Sequence, residues 1–435
     1  MAPSSPDEIP TWNRLVRGPR RVPALPLDEE TRRAQGLPAT LLPAPAGMDH
    51  PLLFDPALKQ FPNALRSGEP RFGTGEEERG RAWHRARRTV LDLVLASVAE
   101  GPWGGHLVLR GSALMSTWFG RAARDPGDLD FLFTPRDRAM DDPRCAALFD
   151  TIARDAAAAA EHHGAVRVDA AGMVTEEIWT YDRVPGRRML LPWTADRVPG
   201  GTVQLDVVFN EFLPEPAEPT ELRPLGRGPG CRIRAVSPGL SLAWKLLWLA
   251  TDMYPQGKDL YDAVLLAEYA SPSYELLRKA LVLSGVEALR PIGAWSLDEM
   301  VPGRGEWEDF VAEHPWVTGS AEDYHARLVR VLAPLIEAKV VGDGADGYQR
   351  WADWLQPLVE YVRATSADDP ASALGHLSEG GRDGLMAAVV VVRELAGAER
   401  LGLEEALAEV FSCQEPWSYW RDRPEACARI LADLG

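Results

Sequence analysis

The chain has 435 residues, room for two or three domains, and its 46% apolar content excludes a chain that is disordered throughout. Its formal charge of −17 is uneven: residues 290–435 hold 13 Lys and Arg against 26 Asp and Glu, while residues 1–289 hold 34 against 38. Phosphate neutralisation needs Lys and Arg, so the acidic last third makes a poor nucleic-acid surface, and only the first two thirds can carry a local basic face.

Residues 1–50 are rich in Pro and mixed charge and read as a tail or extended surface arm. Residues 51–76 read as a short helix with loops that dock Leu52, Leu53, Phe54, Leu58, Phe61 and Leu65 onto the body, so an N-terminal arm spans 1–75. Glu76 to Glu100 reads as a helix. Its acidic start (Glu76, Glu77, Glu78) suits the positive end of the helix dipole; a basic middle and an apolar stripe (Val90, Leu91, Leu93, Val94, Leu95, Val98) follow, and Gly101-Pro102 ends it. The basic residues Arg79, Arg81, Arg85, Arg87 and Arg88 read first as a solvated face and second as a contact to an RNA backbone.

The stretch from His106 to Thr134 carries the chemistry. His106–Arg110 reads as a buried strand, Gly111-Ser112 as the break that opens a helix over Ala113–Phe119, and Asp128-Leu129-Asp130-Phe131 as a second strand after an Arg/Gly/Pro-rich loop. Strand side chains alternate, so Asp128 and Asp130 share one face while Leu129 and Phe131 enter the core. Two such carboxylates repel each other unless a cation lies between them.

Pro143–His163 reads as an Ala-rich helix, and Val174–Tyr181, Arg188–Trp193 and Thr202–Phe209 as an antiparallel meander broken at Pro185-Gly186 and Pro199-Gly200-Gly201. Asp206 stands among Val, Leu and Phe in the last strand, where Asp is depleted, so it is either partnered or functional; Asn210 and Glu211 read as turn residues. Residues 213–230 (LPEPAEPTELRPLGRGPG) read as a Pro/Gly linker. After a short run, Arg232–Val236, Ser237 can cap a helix that starts at Pro238, and a second helix, Lys258–Tyr269, carries Asp259 and Asp262 on adjoining positions. The remainder is helical in pattern, with tryptophans such as Trp295, Trp307, Trp351 and Trp354 as packing residues.

Cys145, Cys231, Cys413 and Cys427 form no Cys-x-x-Cys pair and read as small buried hydrophobes of a reducing compartment. The start shows no signal-peptide core, and no run approaches the roughly 18 apolar residues of a membrane helix. The reading is a cytoplasmic protein without membrane contact.

Gly111 and Ser112 offer backbone N–H groups and a hydroxyl at a helix N-terminus, a ready phosphate site. Asp128 and Asp130 suit Mg²⁺, which takes carboxylate and phosphate oxygens together, and Asp206 supplies a third carboxylate, enough for two cations. This constellation fits in-line displacement at the α-phosphate of an NTP, with pyrophosphate leaving.

Gly111-Ser-Ala-Leu, Arg124-Asp-Pro-Gly-Asp128-Leu-Asp130, Gln204-Leu-Asp206, Lys245 and Lys258-Asp259-Leu-Tyr-Asp262 together resemble the AbiEii/AbiGii-type nucleotidyltransferase toxins of the DNA-polymerase-β-like nucleotidyltransferase superfamily. The resemblance covers about residues 80–270 and extends to the Asp55–Leu65 run. It implies that Gly111 and Ser112 grip phosphates and that Asp128, Asp130 and Asp206 bind metal or activate the acceptor hydroxyl. It also implies that Arg124 contacts phosphate or braces the metal strand, that Lys245 reaches the triphosphate, and that Asp259 orients Lys245 or the nucleotide. Pro126 departs from the family, which commonly has Ser or Thr there. The resemblance further implies the 3′ end of a tRNA as acceptor, an antitoxin protein as partner and a role in phage defence. Two other readings stand beside it: transfer to a small molecule or second nucleotide, and a non-enzymatic interaction protein on the same fold.

The fold class is therefore α+β. A small mixed-sheet nucleotidyltransferase domain with flanking helices is expected at 76–212, a linker at 213–230, and a large helical domain at 231–435.

Overall fold

The computed structural model describes residues 11–12, 15, 20–136, 140–180, 184–252, 255–291, 297–298, 300–337, 347–366, 369–412 and 415–435. Contacts divide the chain into two compact units: Met1–Glu211 with Ala217–Val236, and Phe212–Pro216 with Ser237–Gly435.

The first unit is built on a mixed sheet. Strands β1 (Leu52–Phe54) and β2 (Leu65–Ser67) form a small antiparallel hairpin. The main sheet contains β3 (Leu107–Arg110), β4 (Leu129–Phe133), β5 (Val166–Val168), β6 (Val174–Thr180), β7 (Val184–Ala195), β8 (Val198–Val208), β9 (Glu218–Leu222) and β10 (Cys231–Ala235). Their order is β5-β7-β8-β4-β3-β10-β9, with β6 beside β7. β4 runs parallel to β8 and β10 parallel to β3, and the other pairs are antiparallel.

Among the described residues, the α-helices of this unit are α1 (Glu29–Ala34), α2 (Glu77–Glu100), α3 (Ser112–Phe119) and α4 (Pro143–His163). The apolar stripe of α2 is buried from Val90 to Val98 and packs on α4, β8 and β10. In β4, Leu129 and Phe131 are fully buried, as alternation demands. Asp142 caps the start of α4 by accepting from the Arg144 N–H, and Gly164 in the left-handed region ends it.

Three expectations change. Pro185-Gly186 and Pro199-Gly200-Gly201 do not break the meander but lie inside β7 and β8; the turn falls between Ala195 and Val198, with Arg197 at φ 65°. The glycines are slots for neighbours. A Cβ on Gly201 would lie 2.9 Å from Trp83 Cζ2 and 3.0 Å from Trp193 Cζ2, and one on Gly186 would lie 3.0 Å from Ile178 Cγ1. The span read as a linker, 213–230, contains β9, and its Gly-rich end is docked on α2. Asp92 accepts the backbone N–H groups of Leu225, Gly226 and Gly228 at 2.7, 2.8 and 3.1 Å. A Cβ on Gly226 would lie 2.7 Å from the Thr89 backbone nitrogen, so this close approach requires glycine. The run Arg232–Val236 accordingly belongs to the first unit, as β10, and not to the helical one.

The N-terminal arm is also more than an extended strap. Trp12, Leu15, Val22, Leu37, Leu41, Ala44 and Leu52 form an apolar cluster of their own. The arm meets β6 through the Ala39 N–H on Glu176 Oε2 and Gln60 Nε2 on the Glu177 carbonyl, each 2.6 Å.

The second unit is helical: α5 (Pro238–Thr251), α6 (Gly257–Tyr269), α7 (Tyr274–Ser284), α8 (Arg304–Glu313), α9 (Ala321–Glu337), α10 (Gly347–Thr365), α11 (Gly381–Ala396), α12 (Leu403–Val410) and α13 (Pro424–Leu434), with short helical turns between some of them. Ser237 caps α5 by accepting from the Leu240 N–H at 3.0 Å. α5 packs on α6 and α7, α6 on α9, and α10 on α11, whose Leu385–Val392 run is buried. Trp307, Trp351, Trp354 and Trp417 are core residues, whereas Trp316 is exposed. Cys145 and Cys427 are buried and Cys231 is half-buried, and no disulfide joins them; Cys413 and Trp295 lie outside the described residues. No helix of the described residues is long and apolar enough to cross a membrane.

Candidate functional site

Sheet register assembles the site. Arg110 on β3 pairs with Asp130 on β4, Asp130 with Asp206 on β8, and Asp206 with Arg188 on β7. Directly paired residues share a face, so four adjacent strands present a row of arginine, aspartate, aspartate and arginine on one side of the sheet. Asp128 precedes Asp130 by two residues and joins that face. Asp128, Asp130 and Asp206 bring one carboxylate oxygen each to within 4.8 Å of one another. Such a cluster of hard oxygen donors fits a divalent cation such as Mg²⁺ or Ca²⁺ and does not suit a soft one.

Asp206 is the buried member, and Arg188 grips it from the side. Arg188 Nε donates to Oδ1 and Nη2 to Oδ2, both at 2.9 Å, and Gln204 Nε2 adds a bond to Oδ2 at 3.1 Å. The remaining nitrogen, Nη1, donates to Asp55 Oδ2 at 2.5 Å. Burial pushes the Asp206 carboxyl above the usual range and Asp128 adds to this, with Arg188 pulling the other way. Burial disfavours the charged form of Arg188, yet Asp206 and Asp55 outweigh it and hold the guanidinium firmly protonated. Burial likewise pushes Asp55 up, but Arg188 and Arg66 together bring it below the ordinary carboxylate value.

Gly111 turns β3 into α3. Its φ of 80° and ψ of −155° belong to glycine, and a Cβ there would lie 2.5 Å from Asp130 Oδ2. The Gly111-Ser112 step therefore places a helix N-terminus against the acidic group. Ser112 is 2% exposed, and its Oγ is buried without a hydrogen-bond partner. A buried hydroxyl left open at a helix N-terminus is the kind of donor that an incoming phosphate oxygen satisfies.

Arg124 is half-buried in the loop before Asp128. That loop is braced from α2. Arg87, expected on a solvated or RNA-facing surface, is 4% exposed and donates to the Pro126 and Gly127 carbonyls at 2.8 and 2.6 Å. Pro126 thus takes part through its carbonyl, an interaction that does not depend on its side chain. The other basic residues of α2 are engaged as well: Arg79 with Glu76, Arg81 and Arg85 with Glu78, and Arg88 with Asp125. On the meander, Arg187 pairs with Glu177 and Arg188 is buried, while Arg183 lies outside the described residues. Among the described residues, these arginines of α2 and the meander are thus each matched by a carboxylate or a carbonyl. Glu211, read as a turn residue, is instead the buried partner of Arg110 at 2.6 Å; Asn210 does sit in a turn conformation, at φ 60°.

Lys245 belongs to the second unit, in α5. Its Nζ lies 2.7 Å from Asp259 Oδ1, 3.2 Å from Asp262 Oδ2 and 4.7 Å from the centre of the Trp248 ring. All three charged side chains are buried, and Asp262 is fully so. The structure thus brings Lys245 and Asp259 together, and it adds Asp262 to them.

Sequence reasoning gave no site role to Arg188, Gln204 or Asp55, and it read Arg87 as a surface or RNA-facing charge and Glu211 as a turn residue. Arg188 carries a partial signal, as a charge in a strand next to the Asp206 strand, but only the register decides that Arg188 and not Arg187 meets Asp206. Asp55 stands 133 residues from Arg188; the family resemblance takes in its run, but nothing local gives the carboxylate a role.

A family model described as nucleotidyl transferase AbiEii toxin, type IV toxin–antitoxin system, matches residues 93–345, more than half of the chain. That span includes Gly111, Ser112, Asp128, Asp130, Asp206, Lys245 and Asp259, and it leaves out Asp55. No curated protein matches the chain.

Proposed function

The chain belongs to the AbiEii nucleotidyl transferase toxin family of type IV toxin–antitoxin systems, and we propose that it is a divalent-metal-dependent enzyme that moves NMP from an NTP to a hydroxyl acceptor. The observation that carries this is the register-aligned group of Asp128, Asp130 and Asp206 beside the Gly111-Ser112 turn. Gly111 and Ser112 bind triphosphate oxygens through backbone N–H groups and the open Ser112 hydroxyl. Asp128, Asp130 and Asp206 hold Mg²⁺, which when bound neutralises phosphate charge and eases ionisation of the acceptor hydroxyl. Arg87 fixes the backbone just before Asp128, and Arg188 fixes the plane of the Asp206 carboxylate. The acceptor oxygen attacks the α-phosphorus, the bond to the β-phosphate oxygen breaks, and pyrophosphate leaves.

By family resemblance the acceptor is the 3′ end of a tRNA, the consequence is a block in translation, the setting is phage defence, and the regulating partner is an antitoxin protein. Arg124, Lys245 and Asp259 serve the nucleotide in this reading. The neutralised arginines of α2 favour a second reading, in which the acceptor is a small molecule or a nucleotide, because they provide no basic track for RNA. Incubation with each labelled NTP and Mg²⁺, with and without total tRNA, decides between them. Label in tRNA supports the first acceptor, label only in a small product supports the second, and no label with any NTP overturns the transferase reading.

A further inference from the structure

We propose that Asp55 and Arg188 are positioning residues for the metal site, so that the N-terminal β1–β2 hairpin is a working part of the catalytic unit. The proposal rests on the reading of Asp128, Asp130 and Asp206 as metal ligands. It adds to that reading a segment that precedes the matched family span.

Arg188 has three donor directions in use. The Nε/Nη2 edge takes both oxygens of Asp206, and Nη1 takes Asp55 Oδ2. A guanidinium is planar, so fixing its third nitrogen fixes the plane in which it offers the fork to Asp206. All three side chains are buried, at 5% exposure for Arg188, 6% for Asp55 and 7% for Asp206. Water therefore does little to share the task.

Charge gives the second reason. Facing Asp206 alone, a buried Arg188 would cancel its negative charge and compete with any cation for the same oxygens. Asp55 draws on the same guanidinium, and the trio keeps one net negative charge to offer a metal. A carboxylate carries enough lone pairs to accept an arginine fork and a cation together.

The hairpin sets Asp55 rigidly. Its N–H donates to the Ala64 carbonyl at 2.9 Å, and its Oδ1 accepts the Ala57 N–H at 3.0 Å, which leaves Oδ2 for Arg188. Arg66 of β2 comes within 3.8 Å of that same Oδ2. Leu58 and Ala64 cluster with Ile178 of β6, and this anchors the hairpin to the sheet.

The test uses the full chain and measures Mn²⁺ binding by electron paramagnetic resonance without nucleotide, alongside the melting midpoint in metal-free buffer and NTP labelling over a metal titration. For Asp55→Asn the expected result is Mn²⁺ affinity weakened by about tenfold or more, the range seen for partners of metal ligands. The metal concentration for half-maximal labelling should rise, with the rate at saturating metal largely restored. Arg188→Lys keeps the charge but loses the fork, and it should weaken Mn²⁺ binding as well, which covers the case in which Asp55→Asn does not fold. A folded Asp55→Asn whose Mn²⁺ affinity stays within about twofold of the wild type overturns the proposal, even if it melts earlier. A wild-type protein that binds Mn²⁺ but labels nothing overturns the transferase reading alone. A wild-type protein that binds no Mn²⁺ overturns both.

Discussion

Asp130 on β4 and Asp206 on β8 are paired in register across two parallel strands. Such a pair of carboxylates is suited to sharing a cation. Asp130→Asn should therefore lower nucleotidyl transfer by more than about 100-fold, beyond the usual cost of losing a mere partner of a metal ligand. NTP labelling of the folded variant checks it. A folded variant that keeps transfer contradicts the assignment.

Gly111→Ala tests the turn. The backbone there is outside the range of ordinary residues, and the new methyl would meet Asp130 Oδ2. A strain cost of about 1–3 kcal/mol is expected from the backbone alone. Urea unfolding measures it. Transfer should fall further than stability, because Asp130 itself has to shift.

Arg87→Met removes the brace under the Asp128 loop. The Pro126 and Gly127 carbonyls lose their partner, and a cost of about 1–3 kcal/mol follows from the unmet acceptors. Arg85→Met, by contrast, breaks a surface pair with Glu78 worth at most about 1 kcal/mol. Comparing the two in urea unfolding separates the buried arginine from its surface neighbour.

His50 makes stability depend on pH. Its Nδ1 bonds the Gly68 carbonyl at 2.8 Å, and its buried Nε2 has no partner. Burial holds its pKa below the ordinary 6.5, against the Gly68 bond and nearby Asp49 and Glu69. The unfolded chain therefore takes up a proton more readily than the folded one. The contribution of His50 is fully present above the unfolded pKa and is lost as pH falls from there toward the folded value. Unfolding free energy measured at pH 7.5 and at pH 5.5 should drop on acidification, and His50→Gln should flatten the drop. His84, also depressed mainly by burial, accounts for part of the slope that stays.

Lys245→Met leaves Asp259 and Asp262 buried without their cation. Breaking a buried ion pair by removing one partner typically costs about 3–5 kcal/mol. Urea unfolding of the full chain should show that loss. Measuring NTP affinity of the folded fraction then asks, separately, whether the lysine also serves the triphosphate.

The parts of the site that obey local rules were legible in the sequence. Alternation put Asp128 and Asp130 on one face, the Gly111-Ser112 break marked the helix start, and an aspartate among Val and Leu marked Asp206. What stayed hidden depends on distance in the chain or on ambiguous composition. Asp55 meets Arg188 only after the hairpin and the sheet have formed. Arg87 sits in a run of arginines whose other members are on the surface, and only the helix face separates it from them. Gly226 and Gly228 carry the composition of a flexible linker, yet their missing side chains are what let the loop lie on α2. Pro199-Gly200-Gly201 misled for the same reason: glycine marks close approach as readily as it marks a turn.

The row from Arg110 to Arg188 depends on β8 taking a single alignment against both neighbours. Sliding β8 by one residue would turn Asp206 to the opposite side and offer Leu205 or Val207 in its place. A chain trapped in that slipped arrangement could still be compact and largely paired, but it would be harmless. The three carboxylates therefore come together only when β8 closes in this one alignment, so the fraction of molecules with an assembled site measures how many have paired in the correct register.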